Sequence, residues 1–317
     1  MRLMYLAHTD LPSDCENWIA NALSRAGVLV YKQQRKIYDM LTLSSDTDFQ
    51  LFLNTLLLHK IQVVLINKVP EFKVHWIKEL RSMGIIVVWW TFDRMAESGI
   101  KEWFIPLAIE SNICFMTDGN DSDNYYKDHG INRIELHQGF DPIIHRPYYF
   151  TDIKDVIEFE CDVAFLGSAY TFGRKNLINF LKKNYGDRFK HYGGNNGLRD
   201  GVWGDDFRKA VMGAKVIVGD NFTNDVDGYW SDRIYLTLAC KGYFITHYVK
   251  GLEKEFEDNK HICWWSDLNE LKTKIDRSLE FDNIRNNISH CGYELVKDRD
   301  SYDERIKTFL KYVEELL

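Results

Sequence analysis

Two stretches, VVLI at residues 63–66 and IIVVWW at 85–90, are apolar at every position and rich in β-branched residues. A strand with one wet face alternates apolar and polar residues, whereas a strand apolar throughout must be covered on both faces. Between the two, residues 74–83 carry apolar side chains at helical spacing and stop at Gly84. A helix therefore connects them, and strands joined across a helix run parallel. This pattern restricts the chain to the α/β class with a doubly covered parallel sheet.

The alternation recurs from end to end. Strands are expected at 3–7, 28–31, 113–117 and 134–136, with helices around 18–23 and 49–58. Further on, strands at 163–167, 189–192, 215–219, 243–246 and 261–264 alternate with helices at 175–183, 205–212 and 233–240; helices at 268–278 and 303–316 close the chain. A chain of 317 residues exceeds the usual single core, so two domains of roughly 150 residues each are expected. The segment GFDPIIHRPYYFTDIKDVIEFE, 139–160, holds two of the five prolines and no regular period. We expect a first Rossmann-like domain over 1–148, a second over 149–300, and a last helix over 301–317. In tandem doubly wound domains, ligands sit at the carboxyl ends of the strands, here in a cleft between the two sheets.

Composition removes several classes. A formal net charge of -7 argues against a nonspecific nucleic-acid binder. Six cysteines without a C-x-x-C pair fit buried reduced thiols in a cytoplasmic protein. No apolar run approaches the ~20 residues of a membrane span. The chain lacks the G-x-x-x-x-G-K-S/T loop of an NTPase and the G-x-S-x-G elbow of an α/β-hydrolase. DGNDSDN at 118–124 lacks the sixth-position glycine and terminal glutamate of a calcium loop, so no metal is expected.

Three places carry candidate chemistry. In DVAFLGSAYTFGRKN, 162–176, a buried strand ends at Gly167 and Ser168, where backbone amides can face an anion. Arg174 and Lys175 follow at a helix start, where the helix dipole disfavours a cation unless an anion accompanies it. In WSDRIYLTLACKGYFITHYVKGLEKEF, 230–256, Ser231 or Asp232 can cap a helix whose first turn carries Arg233, with Asp232 alone as its possible partner. Lys241 and Gly242 end that helix. After the next strand, Glu253 follows Gly251 and Leu252, placed either to accept bonds from sugar hydroxyls or simply solvated. Third, Asp93 follows the strand at 85–90 and is the first candidate for a general base, against capping or pairing with Arg94. His8 or Asp10, after the first strand, is the alternative. Trp89 and Trp90 alternate across the sheet, so at least one is expected in the core, with the other available as a sugar platform. The glycine-rich GGNNG at 193–197 is expected to line a nucleotide base.

These residues resemble a family. Arg233-Ile-Tyr-x-x-Leu-Ala-Cys-x-Gly242 before a strand, then Gly251-Leu-Glu, ICWW at 262–265 and DLNEL at 267–271 are similar to the donor-binding half of CgeB-type glycosyltransferases. That family consists of spore-maturation-like members of the group-1 glycosyltransferases with the two-Rossmann GT-B fold. The resemblance extends back through Asp162-Val-Ala-Phe-Leu-Gly-Ser168 and His137-Gln-Gly-Phe-Asp-Pro-x-x-His-Arg-Pro147, and forward to Ser301-Tyr-x-x-Arg305, covering about residues 85–317. It implies a soluble enzyme that transfers a sugar from a nucleotide-diphosphate donor to an acceptor held by the first domain, without permanent cofactor or metal. It also implies a final helix returning to the first domain. On this reading Gly167 and Ser168 contact the diphosphate through their backbones, and Arg174 and Arg233 through their guanidinium groups. Ser231 and Asp232 shape the helix start, and Gly251, Leu252 and Glu253 meet the sugar.

The sequence departs from the family at two glutamates that commonly precede the Ala-Cys-Gly turn. Gly228 and Leu236 stand there, leaving ribose binding to Glu253, Asp227 or backbone groups. Two other functions share these features: a non-catalytic nucleotide or sugar binder, and a glycosyltransferase acting on DNA bases, for which Lys32, Arg35, Lys36, Lys68 and Lys73 would line a basic groove.

Overall fold

The structure, a computed structural model, describes residues 1–7, 14–37, 40–95, 97, 100–117, 119, 123–193 and 201–317. His8 and Asp10, the 194–197 part of the glycine-rich loop and most of the 118–124 turn lie outside them. The chain divides into two compact units, one of Met1–Gln138 with Tyr302–Leu317, the other of Gly139–Ser301.

In the first unit, strands Arg2–Ala7 (β1), Leu29–Gln34 (β2), Val63–Ile66, Ile86–Thr91, Ile113–Met116 and Arg133–Glu135 form one parallel sheet. A small antiparallel pair, Lys36–Ile37 (β3) and Met40–Leu41 (β4), follows β2. Numbering the other four β5 to β8, the order is β2-β1-β5-β6-β7-β8. The chain thus starts inside the sheet, runs to one edge and then fills the other side. The direction reverses between β1 and β5, and doubly wound sheets bind ligands beyond the carboxyl ends of the strands at such a point.

Helices cover both faces, as the unbroken apolar strands require. Trp89 packs edge-on to Phe72 and to Phe104 of helix Lys101–Glu110. Trp90 points the opposite way and stacks on Phe309 of helix Tyr302–Glu314, centroids 5.9 Å apart. Both indoles are fully buried, so neither Trp89 nor Trp90 is a sugar platform. Opposite faces of this strand are both dry, and each tryptophan fills one of them. Helix Asp46–Leu58 begins with a capping box in which Ser45 and Asp48 satisfy each other's backbone amides, a device worth about 0.5–2 kcal/mol at the cap residue.

The second unit repeats the scheme with Cys161–Leu166 (β9), Phe189–Tyr192 (β10), Ala214–Gly219 (β11), Phe244–His247 (β12) and Cys263–Trp265 (β13). Its order is β10-β9-β11-β12-β13, all parallel, and the reversal lies between β9 and β11. Residues 139–148 belong to this unit rather than to the first, ten residues before the expected division at 148/149. The reason is local: the ring of His145 lies edge-on to Phe207, and Arg208 donates to the carbonyls of Arg146 and Pro147. Helices Lys101–Glu110 and Asp282–Lys297 went unread in the sequence, as did the short Ile153–Phe159 and Leu252–Glu255.

Candidate functional site

The second unit's reversal point gathers the loops after β9, β11 and β12. Gly167, the first residue beyond β9, has φ 148°, a conformation open to glycine and rare for other residues. Its amide donates to the Tyr192 carbonyl at 2.8 Å, extending the ladder to β10. Its carbonyl accepts from His191 Nε2 at 2.8 Å, which fixes that nitrogen as the protonated one. The expectation that Gly167 offers its amide to an anion therefore fails, because the sheet already uses it. What the glycine supplies is room. A Cβ at this position would stand 2.8 Å from Arg233 Nη1.

Thr171 caps helix Phe172–Tyr185 by accepting from the amide of Arg174 at 3.2 Å. Arg174 is thereby held in the first turn and is 3 % exposed, a charged group almost wholly removed from water. Arg233 opens helix Arg233–Ala239 beyond the next loop. Both guanidinium groups converge on one acceptor, the Asp220 carbonyl just past β11: Arg174 Nη2 at 3.2 Å and Arg233 Nη2 at 2.8 Å. The Nε of each is buried without a hydrogen-bond partner. Burial, and next the neighbouring Arg174, pull the Arg233 guanidinium down to about 10. Two cations share one neutral carbonyl, with donors to spare, where a doubly wound sheet binds ligands. Such a pair fits a multiply charged anion, because guanidinium forks bind phosphate oxygens two at a time.

The loop after β11 is built to hold that carbonyl in place. Asn221 Nδ2 donates to Asn224 Oδ1, Asn224 Nδ2 to Asp220 Oδ1, and the Ser231 amide to Asn221 Oδ1, all at 2.9–3.0 Å. Ser231 Oγ accepts from the Arg233 amide at 3.4 Å and donates to Asp232. The carboxylate of Asp232 makes no cap hydrogen bond, so of the two expected caps only Ser231 approaches that role.

The loop after β12 folds on itself. Gly251 is left-handed, φ 106°, and donates its amide to Glu253 Oε2 at 2.8 Å; the Tyr248 hydroxyl donates to the same oxygen at 3.0 Å. The backbone amides of Glu253 itself and of Gly251, with the Tyr248 hydroxyl, hold this carboxyl below the usual carboxylate range. Glu253 is exposed and ionised, with one oxygen already engaged. Leu252 is fully buried, so its side chain belongs to the core and only its backbone faces the loop. Asp227, the other ribose candidate, is ion-paired with Lys250. Gly228 stands where the resembling family has its first glutamate; it is left-handed, φ 77°, and donates to the Lys250 carbonyl at 2.8 Å. Leu236 at the second position is buried.

In the first unit, Asp93 lies just beyond β6 and pairs with Lys68, which follows β5, rather than with Arg94. Arg94 is bridged to Glu97. Sequence reasoning did not single out Glu16, in the first turn of helix Cys15–Arg25 after β1. Burial raises its pKa, Cys15 Sγ donates to it at 3.2 Å, and Asp14 and Asp93 add to the upward pressure. The signal was an acidic residue at a helix start behind the first strand, in DCEN. Asp220 and the exposed rings of Tyr170 and Phe222 were missed as well. A backbone carbonyl leaves no trace in side-chain identity, and the rings are near only once the loops after β9 and β11 are folded.

Among the described residues, no group of three or more His, Cys, Asp or Glu could hold a metal ion, and no helix is long and apolar enough to cross a membrane. Residues 174–311 match the family model described as Glycosyl transferase-like. The chain shares its fold with HepE from Anabaena solved with UDP, at 10% identity, TM-score 0.67, covering 99% of this chain and 100% of that one. It is likewise similar to sucrose-phosphate synthase from Thermosynechococcus elongatus, at 12% identity and TM-score 0.69, covering 100% and 99%. A glycosyltransferase from Rickettsia africae gives 10% identity and TM-score 0.69, covering 99% and 98%. No curated protein matches. The two Rossmann-like units are those of the GT-B class.

Proposed function

We infer that the chain is a glycosyltransferase that takes a sugar from a nucleotide-diphosphate donor bound to its second unit. The observation that carries this reading is the convergence of Arg174 and Arg233 on the single carbonyl of Asp220. The match of residues 174–311 to a glycosyltransferase family model supports it, as does the presence of UDP in the HepE structure that shares the fold. In glycosyl transfer the bond from the anomeric carbon to the terminal phosphate oxygen breaks, and negative charge grows on the departing diphosphate. Cations already fixed around that oxygen stabilise the transition state more than the ground state. Here the cap of Thr171 and the amide ladder of Asp220 to Ser231 hold them before substrate arrives.

The first unit would take the acceptor, with Asp93 or Glu16 receiving its proton. Asp93 is tied to Lys68. Glu16, whose pKa is raised, is the better matched proton acceptor near neutral pH. The subgroup resembling CgeB-type enzymes remains part of this proposal, as does a cytoplasmic setting.

The DNA-base alternative loses support. Arg35 is paired with Glu71, Lys73 with Asp46 and Lys68 with Asp93, and Lys32 donates to Asn17. Three of the five cations, Arg35, Lys68 and Lys73, are thus neutralised by local carboxylates, which weakens the case for an open basic groove. The experiment is a thermal-shift and hydrolysis screen with UDP-, GDP-, ADP- and TDP-sugars, repeated on Arg233→Ala. Stabilisation by one base, lost in the variant, is the expected result. A chain stabilised but never turning over any donor would leave only the non-catalytic binder.

A further inference from the structure

Aromatic rings left in water collect at the arginine pair. Tyr170, between β9 and helix Phe172–Tyr185, is 54 % exposed, and Phe222, three residues past β11, is 53 % exposed. Their centroids lie 6.1 Å apart with planes tilted by 31°. The Arg174 guanidinium sits 5.3 Å from the Tyr170 centroid. Neither ring belongs to the unit's buried core. Apolar faces grouped at a strand-end site and rimmed by charge mark a ligand surface.

Resting on the reading that Arg174 and Arg233 hold the diphosphate, we propose that Tyr170 and Phe222 form the platform on which the donor's sugar ring lies. The position of the rings selects the sugar over the base. A transferred sugar is joined to its phosphate through one oxygen, so its ring lies within a ring's width of the phosphate. A nucleobase is held away from its own phosphate by an intervening ribose. Tyr170 touches the arginine that meets the phosphates, and Phe222 extends the apolar surface by one ring. A pyranose presents a face of C–H groups, which covers such a surface while its hydroxyls project from the edge to polar partners. The platform is blind to hydroxyl configuration; it selects for a ring with an unobstructed apolar face.

The test compares each free nucleoside diphosphate with its sugar conjugate, for the base found in the donor panel, by titration calorimetry on wild type, Phe222→Ala, Tyr170→Leu and Tyr170→Phe. In Phe222→Ala the sugar nucleotide is expected to lose about three- to tenfold in affinity, while the free diphosphate changes by less than about twofold and melting is unaltered, since the ring is exposed. Tyr170→Phe keeps both affinities, and Tyr170→Leu repeats the loss. Equal losses for the diphosphate and its conjugate would put the base on the platform and overturn the proposal. Unchanged affinities for both in Phe222→Ala and Tyr170→Leu would make the rings ordinary surface and overturn it too. A wild type that binds no nucleoside diphosphate fails one step earlier, removing the donor reading and the platform with it.

Discussion

Arg174 and Arg233 reach the same main-chain oxygen, that of Asp220, from helices on either side of it. Like charges this close repel, and the Asp220 carbonyl with the nearby Asp232 and Asp220 carboxylates offsets only part of the cost of burying them. We therefore expect Arg233→Met, which keeps the stem and removes the charge, to leave the ligand-free melting temperature unchanged or raise it. Nucleotide affinity should drop about 10- to 100-fold, the worth of a charge-assisted contact. Calorimetry and thermal melting on the same preparation decide the matter: a variant that melts early but binds normally would make the pair structural.

Gly167→Ala places a methyl 2.8 Å from Arg233 Nη1 at a backbone angle of 148°. The expected cost is about 1–3 kcal/mol of stability from backbone strain, with donor affinity as low as in Arg233→Met. Because the two changes act through one side chain, their binding effects should not add in the double variant. Additive losses, measured as a double-mutant cycle, would contradict the contact.

His145 offers a pH readout. Its ring accepts from the Asp141 amide at 3.2 Å, and burial, with Arg208 adding to it, lowers its pKa from 6.5 to about 4. The folded state then binds fewer protons than the unfolded one, so this term is fully present above pH 6.5 and fades as pH falls toward 4. The whole loss is roughly 3 kcal/mol. Denaturant melts at pH 7 and pH 4.5 should show a smaller difference in His145→Gln than in wild type; identical differences would mean the histidine does not couple to folding.

Gly292 lies inside helix Asp282–Lys297, where an added Cβ would stand 2.3 Å from the His261 carbonyl and 2.8 Å from Leu238 Cδ2. Replacement by alanine normally favours a helix by about 1 kcal/mol. Here overpacking wins, and we expect Gly292→Ala to destabilise the protein by about 1–3 kcal/mol, read from the urea midpoint. A stabilised variant would show that the helix can shift away.

That glycine also explains what the sequence concealed. Within NNISHCGYELV it reads as a break, whereas in the fold it lets the helix back approach the loop at His261. Helix Lys101–Glu110 hid differently, being apolar almost all round with Pro106 inside it. In Ile153–Phe159, Ile153 and Ile157 face solvent, 68 % and 71 % exposed, so the apolar spacing points away from the core. The central strands such as β5 and β7 were legible because each is apolar on both faces, and local sequence alone demands that. Arg174 and Arg233 were legible because a cation in the first turn of a helix is misplaced unless something anionic joins it. The shared carbonyl, the room left by Gly167 and the ring pair depend on loops distant in sequence, and no local pattern encodes them.

Gly228 bears on how such a chain can change. Its left-handed backbone, its hydrogen bond to Lys250 and the Lys250 to Asp227 bridge lock together the loops that precede helix Arg233–Ala239 and follow β12. A glutamate returned to position 228 would have to adopt a conformation that side chains disfavour by about 1–2 kcal/mol, within a turn whose neighbour Gly251 leaves it little slack. A glutamate at position 228 is thus excluded by backbone geometry and not merely absent, so any ribose contact at this loop has to come from groups other than a side chain at 228.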